Sequence, residues 1–280
     1  VISVIIPAYN AETTLARTLD SLLAQTDAHW EAVVVNDGST DDTLEIAIDY
    51  AQRDQRIKVA HQDNGGTAGA LNAGVQRSAG DFFVHLDADD ELLPHFIERT
   101  TQMMERHPGY DIYASNAIYR SPDGEETLFN QGERFAKITS LALADEIDHS
   151  QIFVTAPLRR TFFDAVGGFR THIYNEDYDL WLRAMASGAR HIFMPEALTV
   201  VHLHEGQKTA DALKMRSSDV EILSDLVASG LLRPADRRLA RSVIARHKKN
   251  LKRRRLMYTV LGKKRTERLI ASKREGGARS

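Results

Sequence analysis

The feature that most narrows the fold is an alternation in the first 90 residues. VISVIIP, WEAVVVND, RIKVAHQD and DFFVHLDAD are short apolar runs that begin near residues 1, 30, 57 and 81. Between them, residues 13–25, 40–53 and 67–78 carry apolar side chains at helical spacing, as at Leu15, Leu19, Leu22 and Leu23. Strands rich in Val and Ile, separated by helices, predict β-α-β units and a mainly parallel sheet. Ligand sites in such sheets lie beyond the carboxyl ends of the strands. A polar cluster follows every one of the four runs: Ala8-Tyr9-Asn10-Ala11-Glu12, Asn36-Asp37-Gly38-Ser39-Thr40-Asp41-Asp42, Asp63-Asn64-Gly65-Gly66-Thr67 and Asp87-Ala88-Asp89-Asp90.

Further along, a helix is expected over residues 92–107, and DIYASNAIYRSPDGEETLF reads as strands around a Pro-Asp-Gly turn. Regularity then falls away. Helical spacing returns over residues 175–187, and HIFMPEALTVVHLH reads as extended. From residue 211 the pattern is helical to 228, Gly230 is a stop signal, and Pro234 opens a long basic helix. The expected organisation is a domain over 1–209, in two halves at 1–107 and 108–209, and a basic helical extension over 210–280.

The fourth run delivers three carboxylates, Asp87, Asp89 and Asp90, to its carboxyl end. Hard cations such as Mg²⁺ and Mn²⁺ prefer oxygen ligands and take few protein carboxylates when phosphates and water supply the rest. With 0 Cys, disulfides and thiolate metal sites are excluded. The net charge of -3 conceals an asymmetry: residues 233–280 hold 18 of the 36 Lys/Arg but 3 of the 39 Asp/Glu, so an acidic body carries a basic tail. At 42% hydrophobic content the chain can bury a substantial core. No apolar run approaches the length of a membrane span, so the chain reads as soluble and cytoplasmic, with peripheral attachment at the inner face of the membrane as the alternative that the tail introduces.

Six ordered strings resemble one family, the inverting nucleotide-sugar glycosyltransferases of family 2 with the GT-A fold. They are SVIIPAYNAE at residues 3–12, VVNDGSTDDT at 34–43, NGGTAGALNAG at 64–74, LDADD at 86–90, VGGF at 166–169 and NEDYDLWLR at 175–183. The resemblance covers roughly residues 1–205 and implies a nucleotide-binding half at 1–107 and an acceptor or catalytic half at 108–209. It implies a Rossmann-like, mainly parallel α/β sheet flanked by helices, and transfer of a sugar from a nucleoside diphosphate donor, most often a uridine diphosphate sugar, to a hydroxyl of a glycan, a lipid-linked glycan or a small glycoside. It further implies that Pro7, Ala8, Tyr9, Glu12 and Asp37 hold the base and ribose. Asp87 and Ala88 then belong to the nucleotide side, and Asp89 to Mg²⁺ or Mn²⁺. Asp177 is implied as the general base, with Glu176 supporting it or the acceptor, and His204 as a residue touching metal or diphosphate.

Each assignment has a plainer alternative. Ser39 or Thr40 can serve as a helix N-cap, and Asp89 or Asp90 can cap a helix running into Glu91. Glu176 and Asp177 can complement a helix dipole behind Asn175. Trp181 is expected to pack beneath the site, although a tryptophan facing the cleft could stack on a sugar. His202, His61 and His85 read as structural histidines. One departure stands out: relatives often carry a basic residue immediately before Asn-Ala-Gly, where this chain has Leu71. Arg77 or Lys208 could supply the missing charge.

Two other enzyme classes fit less well. A nucleotidyltransferase would carry a Gly-rich basic loop after the first strand, and a dinucleotide oxidoreductase a GxGxxG motif; neither follows Pro7. A non-catalytic docking module is a third reading, resting on the basic tail, which could meet an anionic membrane or a second subunit. Nucleic acid is not expected, because aromatic residues are sparse among the basic ones.

Overall fold

The computed structural model describes residues 1–204, 207 and 211–261. It divides into two compact units, Val1–Gln207 and Lys208–Ser280. In the first, β1 (Ile2–Ala8), α1 (Leu15–Leu23), β2 (Trp30–Asp37), α2 (Thr43–Arg53), β3 (Ile57–Gln62), α3 (Gly66–Arg77) and β4 (Phe82–His85) follow in strict alternation. β1 pairs in parallel with β2 and β4, and β2 in parallel with β3. The order β3-β2-β1-β4 reverses direction at β1, which creates the crevice where open α/β sheets bind ligands.

The apolar runs are continuous because both faces of the sheet are covered. Ile2, Val4, Ile6, Ala32 and Val34 point into one core with Leu15, Leu19, Leu22 and Phe96. Ile5, Val33 and Val35 point into the other, with Leu71, Val75, Phe83, Leu180 and Trp181. Helix α3 sits directly on the second face: a Cβ on Gly74 would lie 2.3 Å from Ile5 Cγ2 and 3.2 Å from Val35 Cγ2. The glycine of the Asn-Ala-Gly string therefore sets the helix-to-sheet distance.

The chain continues through β5 (Glu91–Leu92), α4 (Phe96–Arg106), β6 (Ile112–Arg120), β7 (Glu126–Leu128), a 3-10 turn at Glu133–Ala136, α5 (Leu143–Asp148), β8 (Leu158–Arg159), α6 (Arg160–Ala165), α7 (Glu176–Ala186) and β9 (His191–His202). The sheet extends as β4-β8-β6-β9-β5, with β7 beside β6. Two antiparallel steps through β8 return β6 to the direction of β4, and β9 is parallel to β6. The carboxyl ends of β1, β2, β4, β6 and β9 consequently share one edge.

The helix expected from residue 92 starts later, at Phe96. Pro94 disfavours helical backbone at Leu93, and the preceding residues pair with β9, Glu91 opposite Val200 and Leu92 opposite Thr199. Asp90 therefore leads into a strand and caps no helix. Ser39 and Thr40 do not cap α2 either; its N-cap position is Asp42.

The second unit holds α8 (Ala212–Ala228), capped by Asp211 accepting from the Lys214 N–H at 3.1 Å, and α9 (Pro234–Leu261). Gly230, at φ 79°, ends the first of these helices.

His191, the first residue of β9, is fully buried, and among the described residues neither ring nitrogen has a hydrogen-bond partner. Burial lowers its pKa from 6.5 to about 3, Arg134 adding to the effect and Asp145 opposing it. The unfolded chain takes up this proton below 6.5 while the folded chain does not until about 3, so stability present at neutral pH is lost as pH falls. Urea unfolding at pH 7 and pH 5 is expected to show that His191→Leu removes about 2 kcal/mol of the acid-side loss; parallel pH profiles for the two proteins would refute this.

Candidate active site at the carboxyl edge of the sheet

The loops that follow β1, β2 and β3 are stitched into one platform. Pro7 is tolerated in β1 because β4 pairs only as far as Ile5, leaving no ladder bond for a proline to break. Tyr9 is 53% exposed at the rim. Asn10 adopts φ 50°, a left-handed conformation that Asn accepts more readily than most residues. The Asn10 N–H donates to Ser39 Oγ at 3.0 Å, and Asn10 Oδ1 accepts from the Thr40 N–H at 2.9 Å. Ala11 N–H donates to Thr43 Oγ1 at 2.7 Å, while Glu12 accepts from the Asp42 N–H at 3.2 Å. Buried Asp37 uses one oxygen, Oδ1, for the Gln62 side chain at 2.7 Å and the Gly65 N–H at 2.8 Å. Its other oxygen accepts no protein hydrogen bond among the described residues. Ser39 and Thr40, read as possible caps, instead bind this platform together.

At the end of β4, ligand oxygens of Asp87, Asp89 and Asp90 lie within 4.8 Å of one another. Their backbone is gripped from α1: Arg17 Nη2 donates to the Asp89 carbonyl at 2.7 Å and Thr18 Oγ1 to the Asp90 carbonyl at 2.8 Å. The three carboxylates then divide. Asp90 is buried and accepts from the His202 N–H at 3.1 Å; burial, reinforced by Asp87 and Asp89, pushes its pKa up to about 9. Asp89 Oδ2 lies 2.8 Å from His204 Nε2, on the segment leaving β9. Asp87 Oδ1 lies 2.9 Å from Nε2 of buried His85. His202 turns to Glu91 and keeps its structural role.

Helix α7 brings Glu176 and Asp177 to this edge. Glu176 is buried and Asp177 half-buried. Asn175 occupies the N-cap position without a side-chain cap bond. The electrostatics tie these residues to the strand ends. Burial disfavours charge on His85, but Asp87, with Asp177 and Glu176 contributing, holds its pKa above the ordinary value. Burial pushes the Tyr119 hydroxyl to about 12, with Asp90 and Asp177 both adding. One tyrosine thus feels the carboxylates of β4 and of α7 together.

The helix is held by a clamp that charge pattern alone does not reveal. Asp179, fully buried, pairs with Arg170 and with Arg183, whose Nε donates to Asp179 Oδ2 at 2.8 Å. Arg183 also donates to the carbonyls of Val166 at 2.8 Å and Gly168 at 2.7 Å. From α3, the Asn72 side-chain amide both donates to the Phe169 carbonyl at 2.8 Å and accepts from its N–H at 2.9 Å. A Cβ on Gly168, at φ 75°, would meet Asn72 Oδ1 at 2.7 Å, so the VGGF string requires glycine there. Tyr178 adds a bond to the Glu146 carbonyl at 3.2 Å.

Trp181 is buried in the core and packs there, whereas other sequence expectations change. Leu71 is also core. Arg77 lies in the last turn of α3, at the opposite edge of the sheet, and donates to the Ala73 carbonyl at 2.9 Å, so it does not replace the missing basic residue. Lys208 lies outside the described residues. His85, read as structural, touches the site; its place two residues before Asp87 was the available signal, since alternate strand residues share a face. Glu146 was missed altogether. It is fully buried, accepts from the Gln151 N–H at 2.8 Å, and is pushed to about 8 by burial, with Asp177 adding.

The chain is similar in sequence and fold to known proteins. Residues 3–167 match the family described as Glycosyl transferase family 2. The chain belongs to glycosyl transferase family 2. Among curated relatives, the putative glycosyltransferase EpsE of Bacillus subtilis is 32% identical over 226 residues, covering 77% of this chain and 76% of EpsE. Another Bacillus subtilis relative, the uncharacterized glycosyltransferase EpsJ, is 35% identical over 149 residues, 53% of this chain and 43% of EpsJ, so the chain spans less than half of that protein. Among solved structures, Staphylococcus aureus TarS 1-349 in complex with UDP-GlcNAc superposes with TM-score 0.74 at 20% identity, over 94% of this chain and 76% of that one. The mannosyltransferase PcManGT of Pyrobaculum calidifontis, in complex with GDP-Man and Mn²⁺, gives TM-score 0.65 at 18% identity over 98% and 79%. The glycosyltransferase adopts the GT-A fold that the sequence predicts.

In this glycosyltransferase the Asp179 clamp positions the start of α7. Asp179→Asn leaves two guanidinium groups facing a neutral amide. It is expected to cost roughly 3 to 5 kcal/mol in chemical denaturation; a loss below about 1 kcal/mol would show that the clamp does not hold the helix.

Proposed function

We propose that this enzyme transfers a sugar from a nucleoside diphosphate sugar, with uridine diphosphate the favoured carrier, to an acceptor hydroxyl with inversion at the anomeric carbon. The observation that carries this reading is the convergence at one sheet edge of the Asp89–His204 pair and the exposed side of Asp177, linked through His85 and Tyr119. Support for the donor class comes from the similar folds of TarS, solved with UDP-GlcNAc, and PcManGT, solved with GDP-Man and Mn²⁺.

The residues fit a divalent cation. Ligand oxygens of three carboxylates lie within 4.8 Å of one another, and an imidazole stands 2.8 Å from Asp89. Asp89 and His204 would hold Mg²⁺ or Mn²⁺, with Asp87, oriented by His85, serving the metal's water or the ribose. When bound, the cation supplies charge stabilisation to the departing diphosphate. The platform residues Pro7, Ala8, Tyr9 and Glu12, with Asp37 Oδ2, would receive the base and ribose.

Asp177 acts as general base. The acceptor oxygen attacks the anomeric carbon from the face opposite the diphosphate, its proton passes to Asp177, and the bond from the anomeric carbon to the phosphate oxygen breaks with its electron pair leaving on the nucleoside diphosphate. Glu176, buried next to Asp177, and the Asp179 clamp orient the base. The acceptor is a glycan, a lipid-linked glycan or a small glycoside.

Asp177→Asn is expected to lower kcat by about 10²- to 10⁴-fold while donor binding survives. Near-normal transfer by the folded variant would remove Asp177 from this role. A thermal-shift screen of nucleoside diphosphates with Mg²⁺ or Mn²⁺ is expected to raise the melting temperature of the native chain and much less that of Asp89→Asn. No metal-dependent shift with any nucleotide would overturn the metal-assisted donor site, and release of pyrophosphate in place of a nucleoside diphosphate would overturn the reaction class.

A further inference from the structure

The second unit carries a feature that glycosyl transfer does not use. Helices α8 and α9 form an antiparallel pair joined around Gly230. His247 fixes their register, its Nε2 lying 3.0 Å from Arg216 Nη1 and its Nδ1 3.7 Å from Asp219. The inner stripe of α9 is Ala240, Val243, His247 and Leu251, all buried, facing Ile222, Leu223 and Leu226 of α8.

The two helices differ in length, 17 residues against 28. With His247 beside Arg216 and α8 starting at Ala212, one turn away, α9 runs out of α8 near Leu251. Residue 251 is also the last buried position described on α9. Beyond it the sequence reads Lys252-Arg253-Arg254-Arg255-Leu256-Met257-Tyr258-Thr259-Val260.

Two apolar residues in this overhang stand in solvent: Leu256 is 65% and Val260 69% exposed. At about 100° per residue they share a face with Lys249, Lys252 and Arg253, and that face is opposite the buried stripe. They are therefore not the frayed edge of the α8–α9 core. A helix face that mixes exposed aliphatic groups with Lys and Arg suits the boundary of an anionic bilayer, where the aliphatic tips enter the acyl region and the long basic side chains reach back to the headgroups. Charge favours the same partner: α9 holds 10 Lys/Arg and a single acid, Asp236, near its far end. No described helix is long and apolar enough to cross a membrane, so the contact is in the plane of the surface.

We infer that the carboxyl-terminal turns of α9, through Leu256 and Val260 flanked by Lys249, Lys252 and Arg253, dock this enzyme on an anionic lipid surface. The inference stands apart from the donor and base assignments, since it uses no residue of the first unit.

The test is co-sedimentation of the full 280-residue chain with phosphatidylcholine vesicles, with and without phosphatidylglycerol, across a salt series. Binding to the anionic vesicles is expected to exceed binding to neutral ones by at least about tenfold and to weaken as salt rises. The double variant Leu256→Glu with Val260→Glu, checked for native helix content by circular dichroism, is expected to bind at least about tenfold more weakly. The inference is overturned by no binding to anionic vesicles at low salt, by undiminished binding of the double variant, or by an oligomer seen by sedimentation velocity without lipid that the double variant dissolves. The oligomer would assign the face to a second copy of the chain. Tighter binding to duplex nucleic acid than to vesicles, unchanged in the double variant, would likewise overturn it.

Discussion

The pairing of β1 with β4 is the constraint on which the rest depends. Because β4 returns to the far side of β1 from β2, the loops after these strands diverge and leave a crevice between them. Every group assigned to donor or metal reaches that crevice from a strand end or from a helix seated against one. The pairing needs both faces of the sheet buried, and the two cores supply this: α1, α2 and α4 on one side, α3 and α7 on the other. Apolar burial here positions polar chemistry, since moving either core would misplace the carboxylates.

The second organising principle is an excess of negative charge held in place by hydrogen bonds. Asp87, Asp89, Asp90, Glu176 and Asp177 gather at one sheet edge; burial first, and neighbouring charges second, push Asp90 to about 9 and the Tyr119 hydroxyl to about 12. Where the chain wants a carboxylate fixed and silent, it supplies two guanidinium groups, as at Asp179. At the carboxylates proposed for the metal and nucleotide, an imidazole stands beside Asp87 and another beside Asp89.

Much of this was legible in the sequence, and the reasons are local. The first four strands could be read because burial on both faces writes a continuous apolar run, and their loops because each is a polar cluster bounded by such a run. The clustering of Asp87 and Asp89 with Asp177 could not come from periodicity, and was carried by the ordered strings of the family resemblance. What remained hidden depends on partners distant in sequence. Asp90 looked like a helix start because its strand pairing is with β9, more than a hundred residues away. Asp179 looked like one more acid in a helix's first turn until Arg170 and Arg183 closed on it. Glu146 lies in the least regular stretch of the chain, where no pattern announces burial. Arg77 failed as a substitute for the missing basic residue because a helix running antiparallel to the strands puts its last turn at the wrong edge.

The Asn72 amide has a mechanical meaning beyond its two hydrogen bonds. It joins the donor-side helix α3 to the loop from which the chain climbs, within a few residues, into α7. A side chain so placed works as a tie: it fixes where that loop sits against α3, and with it the start of the helix that carries Asp177. In the proposed transfer, the alignment of base and donor would rest on this tie together with the Asp179 clamp, so that an uncharged residue shares in setting the geometry of the reaction.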